Sequence, residues 1–417
     1  MITKNRYIPS TIFSMLILGF CLASFSSPWT RDIFYICGYL CIIYVILNLF
    51  NKEEKNNKYI SLLIPCSLLV FGTARLIWAV YFQQHDHELD SIYYAYKSTS
   101  KRLIIGSFIV YAVFLSRSQL KILSQSRLIR TLLQLLPIII LGYALYQFSI
   151  IGMERIDLST NRATATAYII TPIFLISLYL CLKQVNNSKY ILLVLTNLCA
   201  SVITILLTQT RSAILIYLVL SLIMTLFMLC NRVSWKYIAA VIATFMVIMI
   251  LSYRPIIKPR MIAALQETEN YNVATASGSF NSRFAMWQAG IYVFEHHPMG
   301  QSAGSRYTLI KDAVEHKEFS SFIMQFINVH LHNEIIETLS LQGLWGTLLL
   351  VFVYLSLLLT SLIQRNPLLF LCTLSLIGFG LSDVLFFSQE ATTLYLICIA
   401  LSLVLGSQRT EHEYRSL

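Results

Sequence analysis

Ser212–Cys230 reads Ser-Ala-Ile-Leu-Ile-Tyr-Leu-Val-Leu-Ser-Leu-Ile-Met-Thr-Leu-Phe-Met-Leu-Cys, with no charged side chain. Wound as a helix, a run of this length crosses roughly 30 Å, the thickness of a bilayer's hydrocarbon. Apolar runs of this kind recur along the 417 residues, where hydrophobic residues make up 57% and charged residues only 12%. Soluble domains carry about 25% charge. The sequence therefore predicts an all-α polytopic membrane protein of about twelve transmembrane helices. Residues 1–252 hold spans one to nine, residues 253–334 one large polar loop, residues 335–406 spans ten to twelve, and residues 407–417 a tail. The fourth span is predicted over Leu103–Leu115 with a start as early as Tyr94, the ninth over Tyr237–Ser252, and the eleventh over Pro367–Phe387. The N-terminal apolar run is read as a retained span, because Ser24 to Pro28 is a weak cleavage site.

Alternate connections carry unequal positive charge: sixteen Lys and Arg in the set containing both termini, seven in the short loops of the other. The positive-inside rule then puts both termini in the cytoplasm and the large loop outside, which in a Gram-negative cell is the periplasm. The net charge of +11 is thus topology information, and no nucleic-acid motif accompanies it. All nine cysteines fall within or beside apolar spans, so no disulfide framework or zinc site is expected.

Polar backbone between spans must lie in water or line a wet cavity, so the Tyr253–Asn333 loop is where chemistry is expected. It holds five of the eight histidines and seven of the thirty-one basic residues. Pro259–Asn270 is predicted to be amphipathic. Ser282 can cap a helix Arg283–Glu295, whose apolar face would be Phe284, Trp287, Ile291 and Phe294.

Three places carry candidate chemistry. Asn328-Val329-His330-Leu331-His332-Asn333-Glu334 puts two imidazoles where a helix leaves the membrane, a position suited to a general base acting on a hydroxyl from water. In an extended segment the same pair could bind metal, and a hydrated interfacial cluster is the plain alternative. Arg211, in Thr208-Gln209-Thr210-Arg211-Ser212, stands between two apolar runs, with flanking hydroxyls suited to phosphate oxygens. A snorkelling arginine that ends a span is the alternative. Arg283, at a predicted first helical turn, opposes the helix dipole unless an anion docks there. Its planar fork binds phosphate in a bidentate way, and Arg260 is a weaker version of the same feature. Asp383, an acid in an apolar segment, is expected to pair with Arg75 as a structural link. His85 and His87 look like a metal cluster but are read as hydrated loop residues, and Asp312 is the loop's one aspartate. On the outer face ATP is absent, so a reaction there needs a substrate that arrives activated. A lipid diphosphate meets that need.

At Leu207–Ser212, Gly278–Trp287, Asn328–Glu337 and Gly378–Val384 the chain resembles the O-antigen ligase family, within a superfamily that includes O-antigen polymerases. The resemblance implies a fold akin to the C-type glycosyltransferases. It implies transfer of O-antigen from undecaprenyl diphosphate onto a sugar hydroxyl of lipid A–core oligosaccharide, at the periplasmic face of the bacterial inner membrane. His332 would be the general base. Arg211 and Arg283 would bind the diphosphate, with Arg260 assisting, and no metal or other cofactor would be needed. His330, Asn333, Glu334 and Asp383 would support the base. His330 departs from the superfamily pattern, in which the second histidine is the usual one. A polymerase joining lipid-linked repeats is the nearest alternative. A transporter of lipid-linked sugars fits less well, since the inner halves of the spans are nearly charge-free.

Overall fold

The computed structural model describes residues 7–48, 58–84, 86, 89–185, 189–229 and 281–406, with scattered positions between 239 and 273. Every element among them is helical. The N-terminal half comprises α1 (Tyr7–Leu22), α2 (Ser27–Asn48), α3 (Lys58–Gln83), α4 (Asp90–Leu115), α5 (Arg117–Ser124), α6 (Arg127–Ser149), α7 (Ala163–Lys183), α8 (Lys189–Leu207) and α9 (Arg211–Leu229). An insertion with α10 (Asn281–His296) and α11 (Ala303–Glu315) follows, and then α12 (Glu334–Ile363), α13 (Pro367–Gly380) and α14 (Gln389–Leu405). Eight of these helices are long and apolar enough to cross a membrane, and α1, α13 and α14 are shorter apolar helices standing where spans are predicted. This is a multi-pass membrane protein. The predicted ninth span, the Pro259–Asn270 segment, His85, His87 and the tail at residues 407–417 lie outside the described residues, apart from a few helical positions.

Two helices form the centre. The whole apolar window of α7 is buried, and in α14 every residue from Ala391 to Leu405 is buried. Both are apolar on all sides, which suits a helix surrounded by others better than one with a lipid-facing stripe. Around them α1, α2 and α4 pack on α14, while α6, α8, α9 and α13 pack on α7. Because successive spans alternate in direction, the starts of α2, α4, α7, α9, α12 and α14 gather at one end of the bundle. Hydrogen bonds there join Ser27 to Ser159, Tyr168 to Asp383, and Phe386 to Glu334.

Three local predictions are corrected. The fourth span begins at Asp90, ahead of even the earlier predicted start at Tyr94, so Lys97, Lys101 and Arg102 lie inside the helix. The eleventh span ends at Gly380, and a 3-10 turn, Leu385–Phe387, follows it, which leaves Asp383 in a connection. On α10 the buried face is Ala285, Met286, Ala289, Gly290 and Val293, while Phe284 and Ile291 are exposed. Small residues win that face because α10 approaches α12 closely: a Cβ on Gly290 would lie 2.4 Å from the Ile336 side chain. The insertion has its own apolar core, which joins that face of α10 to Ile310, Ile323, Ile327 and Leu331.

Gly343 breaks α12 with φ of 66° and ψ of −158°, a conformation outside the helical range that glycine adopts without steric cost. The turn Pro298–Gln301 enters the break. Leu344 N–H donates to the Pro298 carbonyl at 2.9 Å, and Gln301 N–H donates to the Leu341 carbonyl at 2.8 Å. The insertion is thereby fastened to the start of α12, on which the histidine segment is mounted.

Candidate active site

Asn333 fixes the histidines relative to the bundle. As the N-cap of α12 its side chain accepts from the Ile335 and Ile336 N–H groups, satisfying donors a helix start leaves open. Its amide donates to the Leu381 carbonyl at 3.2 Å, tying the cap to the connection that carries Asp383. His332, just before the cap, has φ of 52°. This left-handed conformation is uncommon outside glycine, although histidine tolerates it better than most residues. Backbone strain of this kind costs on the order of 1–3 kcal/mol and persists where surrounding contacts over-determine it.

The turn brings two imidazoles onto one carboxylate. His332 Nδ1 lies 3.2 Å from Asp383 Oδ1, and His330 Nε2 lies 3.6 Å from the same oxygen. Asp383 also accepts from the Val384 N–H at 2.9 Å and, through Oδ2, from the Tyr168 hydroxyl at 2.9 Å. His330 Nδ1 accepts the His332 N–H at 3.3 Å. This network assigns the His330 proton to Nε2 and the His332 proton to Nδ1, each facing Asp383. His332 Nε2 is left with a lone pair. The rings meet edge to face at 4.4 Å, with Phe326 and Phe387 packed against them.

Burial lowers the His330 pKa below the ordinary histidine value, the Asp383 charge opposes that, and His332 adds to it. Burial also works against ionising Asp383, but His330, the His332 hydrogen bond and the Val384 N–H outweigh it. The carboxyl is held well below the usual carboxylate range. Both shifts weaken the fold in acid. As pH falls through about 6.5, an unfolded chain takes up the proton that folded His330 resists, so stability declines. The Asp383 contribution is complete above about 3.9 and is lost below it. The His330 contribution to the melting temperature should therefore be level above about pH 7 and decline below it. His330→Gln should flatten the first part of that decline, and an unchanged profile in that variant would contradict the assignment.

Below the turn lies a buried network that sequence reasoning missed. Glu337, one helical turn after Glu334, accepts from the Leu331 N–H at 2.9 Å, the Tyr96 hydroxyl at 3.0 Å and Arg306 at 2.9 Å. Arg306 also donates to the Ile327 carbonyl at 3.1 Å. Both charged side chains are wholly buried. Together they grip the segment on both sides of the two histidines. The spacing Glu334-Ile335-Ile336-Glu337 at the head of an apolar helix is the signal that was available, since buried carboxylates require cations.

Arg75 does not pair with Asp383. It faces Glu334 at 3.5 Å and donates to the Phe386 carbonyl at 3.0 Å, while Glu334 accepts the Phe386 N–H at 2.8 Å. Glu334 is thus a buried anchor for the connection after α13, and Asp383 is left to the histidines.

The predicted arginines are placed less directly. Arg283 lies one turn before Trp287, whose indole N–H points at the His332 carbonyl from 3.4 Å. It also acts electrostatically on Tyr168, the partner of Asp383. Arg211 opens α9 and is exposed. Its neighbour Ser212 is within hydrogen-bonding reach of Tyr168. Thr208 and Thr210 are buried and donate to backbone carbonyls, so the hydroxyls expected to suit phosphate oxygens are engaged in the turn before Arg211. Arg260 lies outside the described residues.

An O-antigen ligase of Escherichia coli (strain K12) is 31% identical over 400 residues, covering 95% of this chain and 92% of that protein. The chain belongs to the O-antigen ligase family. The O-antigen ligase family profile matches residues 196–351, a stretch containing Arg211, Arg283, His330, His332 and Glu337. Asp383 lies beyond that match and reaches the ligase-family histidines only through the fold. His330, His332 and Asp383 also bring three donor atoms within 4.8 Å of one another, a set able to hold a metal ion. In the described arrangement those atoms face one another in a hydrogen-bonded cluster.

Proposed function

We propose that this protein transfers an O-antigen polysaccharide from undecaprenyl diphosphate to a sugar hydroxyl of lipid A–core oligosaccharide, at the periplasmic face of the inner membrane. The observation that carries the reading is the His332–Asp383 pair within a chain of the O-antigen ligase family. Asp383 holds the imidazole in the tautomer that leaves Nε2 free to accept a proton, the role a carboxylate plays beside a catalytic histidine. Nε2 takes the acceptor's hydroxyl proton as its oxygen attacks the anomeric carbon. The bond to the diphosphate breaks, the leaving group departs with the electron pair, and the anomeric centre inverts. Arg283 and Arg211, with Arg260 assisting, bind the diphosphate and stabilise the charge growing on it. A likeness to the C-type glycosyltransferase fold belongs to the same reading.

Reconstituting the purified protein with lipid-linked polysaccharide and lipid A–core, with products resolved by gel, tests it. Polymer on lipid A–core is the expected product. Polymer extended on lipid-linked repeats instead would make this protein a polymerase. Arg283→Ala should raise the donor KM about tenfold or more, the worth of a charge-assisted contact, and Arg283→Lys should recover part of it. An unchanged donor KM would return Arg283 to an ordinary surface role. Exhaustive chelator treatment should leave transfer intact, because the guanidinium groups supply the charge compensation. Loss of transfer restored by one added divalent ion would instead make the His330, His332 and Asp383 donors a metal site.

A further inference from the structure

Three arginines with buried side chains stand out in the bundle and its insertion: Arg75, Arg102 and Arg306. Arg75 faces Glu334, and Arg306 is bonded to Glu337. Arg102, part-way along α4, has no carboxylate within ion-pair distance among the described residues. Its Nε donates to the Thr393 hydroxyl at 3.0 Å, and one terminal nitrogen donates to Gln389 Oε1 at 3.1 Å. The other donates to the Ser98 carbonyl at 3.0 Å and to the Ser98 hydroxyl. A guanidinium has five N–H bonds; these contacts use four, all on neutral oxygens. A charge taken this far from water without a counter-ion is costly to keep.

Arg102 also lines a cavity of about 120 Å³, bounded by the starts of α2 and α14 and by α4 and α7. Ser27, Thr30, Gln389 and Thr393 add polar groups to its wall, and Arg31 adds a second guanidinium. The acid in the wall, Glu390, is engaged by the Ser388 hydroxyl at 3.1 Å. Arg31 is paired with Asp32 at 2.8 Å, and Glu390 acts on Arg102 electrostatically without an ion-pair contact. Trp29, between the lining residues Pro28 and Thr30, and Tyr94, which acts electrostatically on Arg31 and Arg102, are exposed, and Tyr35 faces the Arg102 guanidinium at 5.5 Å. Exposed Trp and Tyr mark the depth of lipid headgroups.

We infer that this cavity is an anion site for the phosphate of a membrane-lipid headgroup, with Arg102 as its fixed cation and Arg31 at its mouth. A phosphate supplies the ion-pair contact that Arg102 lacks, and its oxygens suit the remaining N–H, while the hydroxyls of Ser27, Thr30 and Thr393 stay on the Ser159, Ser26 and Gln389 carbonyls. The site shares no residue with the histidine cluster and does not depend on the transfer chemistry.

Gln389→Glu is the discriminating variant. It sets a carboxylate of nearly the same shape on Arg102 and should exclude phosphate while keeping the fold. The experiment uses the full chain in detergent and native mass spectrometry. The probes are phosphatidylglycerol, a phosphate-free galactolipid of matched chain length, and inorganic phosphate as competitor. Wild type should retain phosphatidylglycerol over the galactolipid. Gln389→Glu and Arg102→Gln should each cut that retention about tenfold, with Gln389→Glu melting no lower than wild type. Displacement by inorganic phosphate would support a site that reads the phosphate group alone. Persistence against it would support one requiring the lipid-borne group. Equal retention of phosphatidylglycerol by wild type and Gln389→Glu, or equal retention of the two lipids by wild type, would overturn the inference. Should Arg102→Gln fail to fold, Gln389→Glu still decides.

Discussion

His332→Asn is expected to slow polysaccharide transfer by at least about 10²-fold, the usual contribution of a positioned general base. Asparagine is the instructive replacement because residue 332 has φ of 52°, and asparagine tolerates that region while offering no titratable nitrogen. The variant should insert, fold and bind donor, so the loss should fall on the rate with donor KM unchanged. His332→Ala should lose the same chemistry and also melt lower, since alanine resists the left-handed backbone. Transfer at the wild-type rate by a folded His332→Asn protein would remove the base assignment. Asp383→Asn provides a second reading of the same pair: the amide can turn its donor toward Nδ1 and favour the wrong tautomer.

The second large effect concerns stability and activity together. Glu337→Ala leaves the wholly buried Arg306 without a counter-charge, a change expected to cost about 3–5 kcal/mol. Replacing both members with apolar residues, Arg306→Met with Glu337→Leu, should recover much of that, because a buried ion pair adds little over well-packed hydrophobic groups. Transfer should not recover. The double variant has lost the acceptor for the Leu331 N–H and the donor to the Ile327 carbonyl, and those bonds hold the histidine turn from both sides. A double variant regaining melting temperature and full rate would show that the pair serves the fold alone. Glu337→Gln, which keeps an acceptor for Leu331, should retain more activity than Glu337→Ala.

Most of the helical architecture was legible in the sequence because hydrocarbon thickness imposes a length and composition that charge-free runs such as Ser212–Cys230 satisfy almost alone. The failures share one physical origin. The start of the fourth span was left between Tyr94 and Leu103 because charge usually means water, yet neutral oxygens on α4 and α14 surround Arg102 inside the bundle. The aromatic stripe on α10 was read as its apolar face from helical spacing, whereas close approach to α12 selected Ala285, Ala289 and Gly290 for the buried side. The histidine turn was found because its residue types are rare in such a chain. The resemblance named Asp383 among its supporting residues, but the residues alone paired that acid with Arg75, since Asp383 lies 51 residues beyond His332 and no periodicity reports which of two acids, Glu334 or Asp383, an arginine reaches. Glu334 took Arg75, and that choice freed Asp383 for the imidazoles.

The enclosure of α14 by α1, α2, α4 and α7 bears on biogenesis. A helix synthesised after α1, α2, α4 and α7 fills the space between them. Until it leaves the ribosome, the early segments must wait in the lipid with their inward faces uncovered. Insertion of α14 is therefore expected to close up the bundle, and chains stopped before Gln389 should be degraded as unassembled intermediates.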